Sequence, residues 1–247
     1  MKDLFSGHAD QYARFRPSYP ATLFEYIVGL CPSKVKAWDC GTGNGQIAGI
    51  LSGFFTEVHA TDISQNQLDN AIRLPNIHYS QQPAEKTDFS ENYFDLIVVA
   101  QAIHWFDLDK FYQEVNRTSK NGAILLVLGY GLLKINAEID QVIDKLYRNI
   151  LGLYWEPERK LIDERYQSIH FPFEELEAPY FPNEYLWSFE QLIGYLKTWS
   201  AVRKYLRITQ KDPIELIKKE LQDAWGEDLR KVEFPLLIRL GSLNKSE

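Results

Sequence analysis

Short apolar runs alternate with amphipathic segments through the first half of the chain. The apolar runs have the length of buried strands, and the segments between them repeat apolar residues at helical spacing. Strands are expected at 35–39, 57–62, 77–80, 96–100 and 123–128, and helices at 46–52, 65–72 and 108–117. Strand–helix alternation at this spacing predicts an α/β protein with a doubly wound, mostly parallel sheet.

The second half of the chain has a different pattern, mostly helical or irregular from 129 to 183, with a helix expected at 136–151. A further helix is expected to begin near Ser188. Its apolar face, at helical spacing, consists of Leu192, Tyr195, Leu196 and Trp199. Asp212 and Pro213 have the pattern of a helix start, and 234–240 that of a last strand. No Gly/Ser/Pro-rich linker separates these parts, so we expect a single domain over 1–247.

Charge and composition exclude several classes of protein. Hydrophobic residues make up 45% and charged residues 25%, as in ordinary globular proteins. The net charge is −7 and no long Lys/Arg run occurs, so a nucleic-acid partner is not expected. Cys31 and Cys40 have no metal-ligand spacing, which argues against a zinc site or a disulfide framework. Without a signal-peptide core or a membrane-length apolar run, we expect a cytoplasmic protein.

The densest chemical signal is a glycine loop, Asp39-Cys40-Gly41-Thr42-Gly43-Asn44-Gly45, placed where a buried strand turns into a helix. Glycines at such a turn allow a ligand to approach the backbone closely. Asp62 ends the next strand, where an acidic side chain can accept hydrogen bonds from both hydroxyls of a ribose. The combination predicts a site for an adenosine-containing cofactor rather than an ordinary glycine-rich turn.

The spacing of the loop separates two candidate cofactors. Dinucleotides are bound by G-x-G-x-x-G, whereas this loop reads G-x-G-x-G. Asp39 would be repelled by a pyrophosphate and attracted by the α-ammonium of S-adenosylmethionine. The loop therefore favours S-adenosylmethionine over a nicotinamide dinucleotide, and an oxidoreductase remains the alternative.

Several segments resemble the class I S-adenosylmethionine-dependent methyltransferases. The glycine loop looks like the first motif of that family, and Asp62 matches its ribose-binding acid. The segments 83–89 and 94–98 resemble the stretch before and through its fourth strand. The chain also resembles a subgroup of methyltransferase type 11 kind, which includes trans-aconitate methyltransferase-like enzymes. This resemblance lies in the segments 5–12, 16–20, 102–106 and 194–200.

The resemblance implies a Rossmann-like methyltransferase fold with seven strands and a helical cap inserted after the fifth. It implies an N-terminal lid at 1–20 and a substrate cap at 129–205. Gln82-Pro83 stands where many relatives carry an adenine-binding acid, so the neighbouring Ala84 N–H and Glu85 become the candidates. The cofactor-binding residues expected in full are Asp39, Gly41, Thr42, Gly43, Gly45, Asp62, Ile63, Ala84, Glu85 and Gln101.

Candidate substrate residues lie in three segments. In the N-terminal segment, Tyr12 and Tyr19 are expected to close the pocket, and Arg16 offers a fork to a carboxylate or pairs with a protein acid. Trp199 and Arg203 are four residues apart and can share a helix face. Either both side chains contact the substrate, or Trp199 is a core residue and Arg203 is solvated. For Trp199 the core role is favoured.

His104 and Trp105 follow the fourth strand, at the end of the sheet where open α/β folds bind ligands. His104 is a candidate base, a substrate hydrogen-bond donor or a structural histidine. Methyl transfer from a sulfonium is an in-line displacement that mainly requires alignment, and a carboxylate nucleophile needs no base.

The sequence therefore predicts methyl transfer from S-adenosylmethionine to a small molecule, with a carboxylic acid as the candidate acceptor. The alternatives are a nicotinamide-dependent oxidoreductase and a cofactor-binding module without catalysis. Twelve of the 34 aromatic residues lie between Tyr154 and Trp199. We expect some of them to line a small, largely apolar acceptor pocket.

Overall fold

A twisted sheet of seven strands organises the protein in a computed structural model that describes residues 15–245. The strands of the chain are β1 Lys36–Cys40, β2 Glu57–Asp62, β3 Ile77–Gln81, β4 Phe94–Ala100, β5 Ser119–Tyr130, β6 Glu174–Leu176, β7 Glu184–Trp187, β8 Arg230–Glu233 and β9 Leu236–Leu243. The large sheet has the order β3-β2-β1-β4-β5-β9-β6, and β7 and β8 form a separate ribbon. The first five strands pair in parallel and β9 is antiparallel to both neighbours, which confirms the predicted mostly parallel α/β sheet.

Helices follow the strands as the sequence pattern predicts in the first half. The helices of the described part are α1 Ala21–Leu30, α2 Gln46–Leu51, α3 Gln65–Asp69, α4 Leu108–Thr118, α5 Ala137–Asp144, α6 Arg159–Asp163, α7 Phe189–Lys197, α8 Ser200–Thr209 and α9 Lys218–Trp225. Two short 3₁₀ turns cover Ile103–Trp105 and Pro213–Leu216. The last turns of the helix expected at 136–151 are π-helical, over Lys145–Ile150.

Hydrophobic layers cover both faces of the sheet, because alternate residues of each strand point to opposite sides. On β4, Leu96 and Val98 join the cluster that contains α1, α2 and α5, while Ile97 and Val99 join the cluster that contains α4 and α6. All residues of β4 except the last are buried, as expected for a central strand of a doubly wound sheet. The carboxyl ends of β1, β2 and β4 are thereby held side by side at one edge.

The region after the fifth strand, expected to be mostly helical or irregular over 129–183, also contains the short strand β6. The short strand β6 pairs with β9 at the edge of the large sheet, so one excursion lies between β5 and β6 and a second between β6 and β9. Glu174 and Glu175 are exposed in β6. A three-residue edge strand of this kind has no apolar run, so the sequence pattern could not predict it.

The apolar face expected after Ser188 exists, but two helices share it. Ser188 caps α7 with a full capping box, and that helix ends at Lys197. Trp199 is the N-cap residue of α8, and Arg203 lies in the first turn of α8 with its N–H bonded to the Trp199 carbonyl. Asp212 does cap a turn, by accepting from the Ile214 N–H, although that turn is 3₁₀ rather than α-helical.

Between residues 15 and 245, no helix combines the length and the apolar character that crossing a membrane requires. The same part of the chain contains no group of three or more His, Cys, Asp or Glu side chains arranged to hold a metal ion.

Asp95, at the start of β4, is buried and ties the loop before β1 to the sheet. Its carboxylate accepts hydrogen bonds from the Ser33 hydroxyl at 2.7 Å and the Lys36 N–H at 2.9 Å, and pairs with Lys120 at 2.7 Å. Burial alone would raise the pKa of Asp95, but the bonds from Lys120, Lys36 and Ser33 together hold it below its usual value. The charge at this position therefore stabilises the start of β1, at the end of the strand opposite the glycine loop.

Replacing Asp95 by Asn should lower the free energy of unfolding by about 2–3 kcal/mol, because Ser33, Lys36 and Lys120 lose a charged acceptor. The loss is limited because Lys120 remains hydrated. Urea denaturation at neutral pH measures the loss. Asp144→Asn is the matched control, since Asp144 pairs with Arg148 on the exposed surface and should cost less than about 1 kcal/mol. Equal losses in the two variants would contradict this role for Asp95.

Candidate active site

A cleft of about 1170 Å³, measured out to its open mouth, lies over the carboxyl ends of β1, β2 and β4. This is the edge at which open α/β sheets bind ligands. The glycine loop after β1, the turn after β2 and the segment after β4 form its floor and sides. Most of the predicted cofactor residues line it: Asp39, Gly41, Thr42, Gly43, Asp62, Ile63, Ala84 and Gln101.

Close approach of the backbone explains two of the glycines in the loop. Gly41 has φ +72°, and a Cβ there would lie 2.7 Å from the Ala102 Cβ. Gly45 has φ +81° at the N-cap of α2, and a Cβ there would meet the Tyr79 hydroxyl. Gly43 differs, because a Cβ at that position would meet no described atom within 4 Å although its φ is +56°. Gly43 lines the cleft, so its backbone is open to a ligand.

Asp62 fixes the position of the loop relative to β2. Its Oδ2 accepts a hydrogen bond from the Gly43 N–H at 2.9 Å, and its Oδ1 accepts one from the Ser64 N–H at 2.9 Å. Each carboxylate oxygen can accept more than one bond. Asp62 therefore orders the cleft floor, and its side chain also lines the cleft.

Asp39 is buried and holds the loop to the first turn of α2. Its Oδ2 accepts from the Thr42 hydroxyl at 2.5 Å and from the Ala48 N–H at 2.9 Å. Burial raises the pKa of Asp39 to about 7, against the opposing effect of these two bonds. A cation in the cleft would favour the ionised carboxylate, so the site is electrostatically suited to an ammonium group.

Of the segment predicted to lie near adenine, Gln82 and Ala84 line the cleft. The Gln82 amide donates to Asp88 Oδ1 at 2.7 Å and accepts from the Asp88 N–H at 2.8 Å, which fixes the side chain. Glu85 does not line the cleft. Its carboxylate accepts from the Asp107 N–H at 3.0 Å and so anchors the start of α4.

A second, smaller cleft of about 550 Å³ adjoins the first. Arg16, Gln101 and Trp105 line both clefts, so these residues form the shared wall. Gln101 has φ +55°, a conformation that costs a non-glycine residue of order 1 kcal/mol and that clusters at functional sites. The remaining lining of the smaller cleft consists of His104, Trp155, Glu156, Arg159, Ile162, Trp199 and Ser200.

The structure places most of the predicted substrate residues at these clefts. Tyr19 lines the larger cleft, and its ring lies 5.9 Å from that of Tyr130, centroid to centroid. Arg16 donates to the Tyr130 hydroxyl at 3.1 Å and to the Thr198 carbonyl at 3.4 Å. Arg203 lines neither cleft. Tyr12 lies outside the described residues.

Trp199 is a core residue that also lines a cleft. It is 3% exposed and belongs to the core cluster, yet it also lines the smaller cleft. Its ring contacts those of Tyr147, Trp155 and Tyr195 at centroid distances of 5.6, 5.5 and 5.9 Å. The wall of the cleft is thus continuous with the core, which keeps its shape fixed.

His104 is 9% exposed and lines the smaller cleft, with Nδ1 3.5 Å from the Tyr166 hydroxyl. Burial, reinforced by the positive charge of Arg159, lowers the pKa of His104 to about 3. An imidazole with such a pKa is neutral at physiological pH and is a weak proton acceptor. The surroundings of His104 therefore suit a neutral hydrogen-bonding group better than a general base.

Several lining residues carry no motif in the sequence. Arg159, Trp155 and Glu156 come from the excursion after β5, where no pattern indicated which side chains face inward. Tyr130 could have been predicted as a lining residue, because it ends β5 at the edge of the sheet where Gln101 follows β4.

Comparisons with known proteins agree with this architecture. A family model described as a methyltransferase domain matches residues 38–127, which span β1 to β5. A Dictyostelium discoideum protein whose name describes it as a methyltransferase is 35% identical, over 96% of this chain and 94% of its own. The solved structure of an Anaeromyxobacter dehalogenans protein, described as a type II methyltransferase, is 40% identical with a TM-score of 0.87, over 94% of this chain and 100% of its own.

A more distant solved structure, from Bacillus halodurans and also described as a methyltransferase, shares the fold. Its TM-score is 0.54 at 18% identity, over 91% of this chain and 98% of its own.

The His104 imidazole should remain neutral from about pH 5 upward in the folded protein, because the desolvated site disfavours the cation. An NMR titration of histidine-labelled protein measures this, and a His104→Gln variant assigns the resonance. The imidazole of the unfolded chain has a pKa of about 6.5. The contribution of neutral His104 to the free energy of unfolding is therefore complete above that pH and declines as the pH falls toward 3. Titration of His104 near pH 6.5 in the folded state would contradict the assignment.

Proposed function

Because the chain belongs to the class I S-adenosylmethionine-dependent methyltransferases, we propose that it methylates a small-molecule carboxylic acid held in the smaller cleft. The observation that carries the proposal is the shared wall of Arg16, Gln101 and Trp105. A donor over the glycine loop and an acceptor beyond that wall would be neighbours, as in-line transfer requires.

The larger cleft fits S-adenosylmethionine by the chemistry of its lining. Asp39 provides a buried carboxylate for an ammonium group, and Asp62 provides acceptor oxygens for ribose hydroxyls. Because Gly43 has no side chain, a ligand can approach its backbone closely. Bound there, the cofactor supplies a methyl carbon activated by a sulfonium, whose sulfur departs as a neutral thioether.

The smaller cleft fits an organic acid with a flat apolar body. Trp155 and Trp199 provide aromatic surface, and Arg16 and Arg159 provide positive charge. A carboxylate oxygen is already a competent nucleophile, so a new O–C bond to the methyl group requires no proton removal. This agrees with a neutral His104, which can orient an acceptor but is a poor base.

The surrounding segments are proposed to exclude water from the reaction. Tyr19 and Tyr130 cover one side of the larger cleft, and the excursion after β5 covers the smaller one. We propose that 1–20, of which 1–14 lie outside the described residues, serves as the lid and that 129–205 serves as the substrate cap. The strand β6 lies within that cap and pairs at the edge of the sheet. In a water-depleted site the attraction between arginine and carboxylate becomes stronger.

Asp62→Ala should weaken binding of S-adenosylhomocysteine at least tenfold, roughly 1.4 kcal/mol, because acceptor oxygens for the ribose are lost. Isothermal titration calorimetry measures the affinity. Asp69→Ala is the control, since Asp69 lies on the next helix, outside the cleft lining, and its carboxylate accepts a hydrogen bond from the exposed Gln65 amide.

Asp62 also orders the loop, so a second variant separates binding from folding. Asp62→Asn keeps one acceptor oxygen and should bind with intermediate affinity. Thermal denaturation of all variants shows whether the fold is retained. Unchanged affinity in a folded Asp62→Ala variant would refute the ribose role of Asp62.

The acceptor class can be tested with S-adenosylmethionine carrying a radiolabelled methyl group and a panel of carboxylic acids, phenols and amines. We expect label in acid products that release volatile methanol in mild base, as methyl esters do. Labelled products stable to base would identify an ether, amine or carbon acceptor and would contradict the carboxylate proposal.

A further inference from the structure

We propose that Arg159 binds an anionic group of the acceptor at the end remote from the methylated atom, and that Tyr147 positions its guanidinium. This inference rests on the proposed function and refines the substrate class, from an organic acid to one with a second, anchoring anion. No motif in the sequence indicates a role for Arg159.

The orientation of Arg159 is fixed by its neighbours. Its Nε donates to the Tyr147 hydroxyl at 2.9 Å, and that hydroxyl donates to Asp163 Oδ1 at 2.6 Å. The guanidinium carbon lies 4.9 Å from the centre of the Trp155 ring, within cation–π range. Against residues 15–245, the terminal nitrogens of Arg159 donate no hydrogen bond. The Nε edge is therefore occupied, and the terminal fork is available to a ligand.

A local irregularity of the helix builds this arrangement. Tyr147 lies in the π-helical turn Lys145–Ile150, and such turns are frequent at functional sites. The Tyr147 carbonyl accepts the Trp155 indole N–H at 3.0 Å, and the Tyr147 ring packs 4.8 Å from that of Trp155. Tyr147 thus holds both the arginine and the aromatic wall beside it.

The charges around the cleft favour an anion. Arg16 and Arg159 are the cations of its lining, and His104 is neutral. The acidic member, Glu156, is paired with Lys204 at 2.8 Å, which compensates its charge. Asp163 lies 3.9 Å from Arg159 Nε and does not line the cleft, so this carboxylate is placed at the Nε edge and not in the cleft.

The two arginines occupy different places along the path of an acceptor. Arg16 lines both clefts, whereas Arg159 lines only the smaller one. An anion at Arg16 would lie beside the donor site, and an anion at Arg159 would lie on the far side of the shared wall. An acceptor that spans the two positions carries a reacting group at one end and an anchoring anion at the other.

Two probes of matched shape test the anchor: the monomethyl and dimethyl esters of para-phenylenediacetic acid. Their binding to the full chain, saturated with S-adenosylhomocysteine, is followed by tryptophan fluorescence, because Trp105, Trp155 and Trp199 line the cleft. We expect the anionic half-ester to bind at least about tenfold more tightly than the neutral diester.

Arg159→Met should bring that affinity ratio close to one, and Arg159→Lys should restore only part of it, because lysine lacks the planar fork. Tyr147→Phe keeps the ring and should lower the ratio to an intermediate value, a change in charge selectivity that mere loss of packing would not produce. Arg207→Met, at an exposed position on α8, is the matched control and should leave the ratio unchanged.

Three results would overturn the proposal: an unchanged ratio in Arg159→Met, a ratio lost in Arg16→Met instead, or no preference for the half-ester in the wild-type protein. Binding of S-adenosylhomocysteine to each variant is measured in parallel. Failure of the wild-type protein to bind it would overturn the proposed function, whereas intact binding with an unchanged ester ratio would overturn only the anchor.

Discussion

The site depends on one constraint, the attachment of the glycine loop to two carboxylates at the ends of adjacent strands. Asp39 bonds the loop and the first turn of α2, and Asp62 bonds the Gly43 and Ser64 N–H groups. Replacing either carboxylate by an apolar side chain would leave at least one backbone donor near the cleft unpaired. The same two groups are the ones proposed to recognise a cationic, ribose-containing ligand, so order and recognition would be coupled.

The second cleft follows from this placement. The loop fixes where a donor can lie, and the segment after β4 turns at Gln101 with a left-handed backbone to form the boundary of that space. Beyond the boundary, the aromatic residues of the later excursions are divided between two tasks. Trp187 and Tyr195 are core residues, whereas Trp155 and Trp199 also face the cleft. The aromatic-rich stretch is therefore partly core and partly a candidate acceptor wall.

The sequence predicted the first half of the fold well because its signals are local. A buried strand such as β4, Phe94–Ala100, followed by a turn and an amphipathic helix, is predictable from its own sequence. The edge strand β6 and the ribbon of β7 and β8 have mixed or exposed faces, so their pairing is decided by distant partners. Arg159 escaped prediction for the same reason, since its orientation depends on Tyr147 and Trp155, which only the tertiary structure brings to it.

The central claim is that a donor cleft and an acceptor cleft share one wall. A crystal structure of the protein with S-adenosylhomocysteine tests this claim most directly. The account predicts the ribose hydroxyls within hydrogen-bond distance of Asp62 and the sulfur beside the wall of Arg16, Gln101 and Trp105, directed toward the smaller cleft. A sulfur directed away from that wall, or a ligand bound outside the larger cleft, would contradict it.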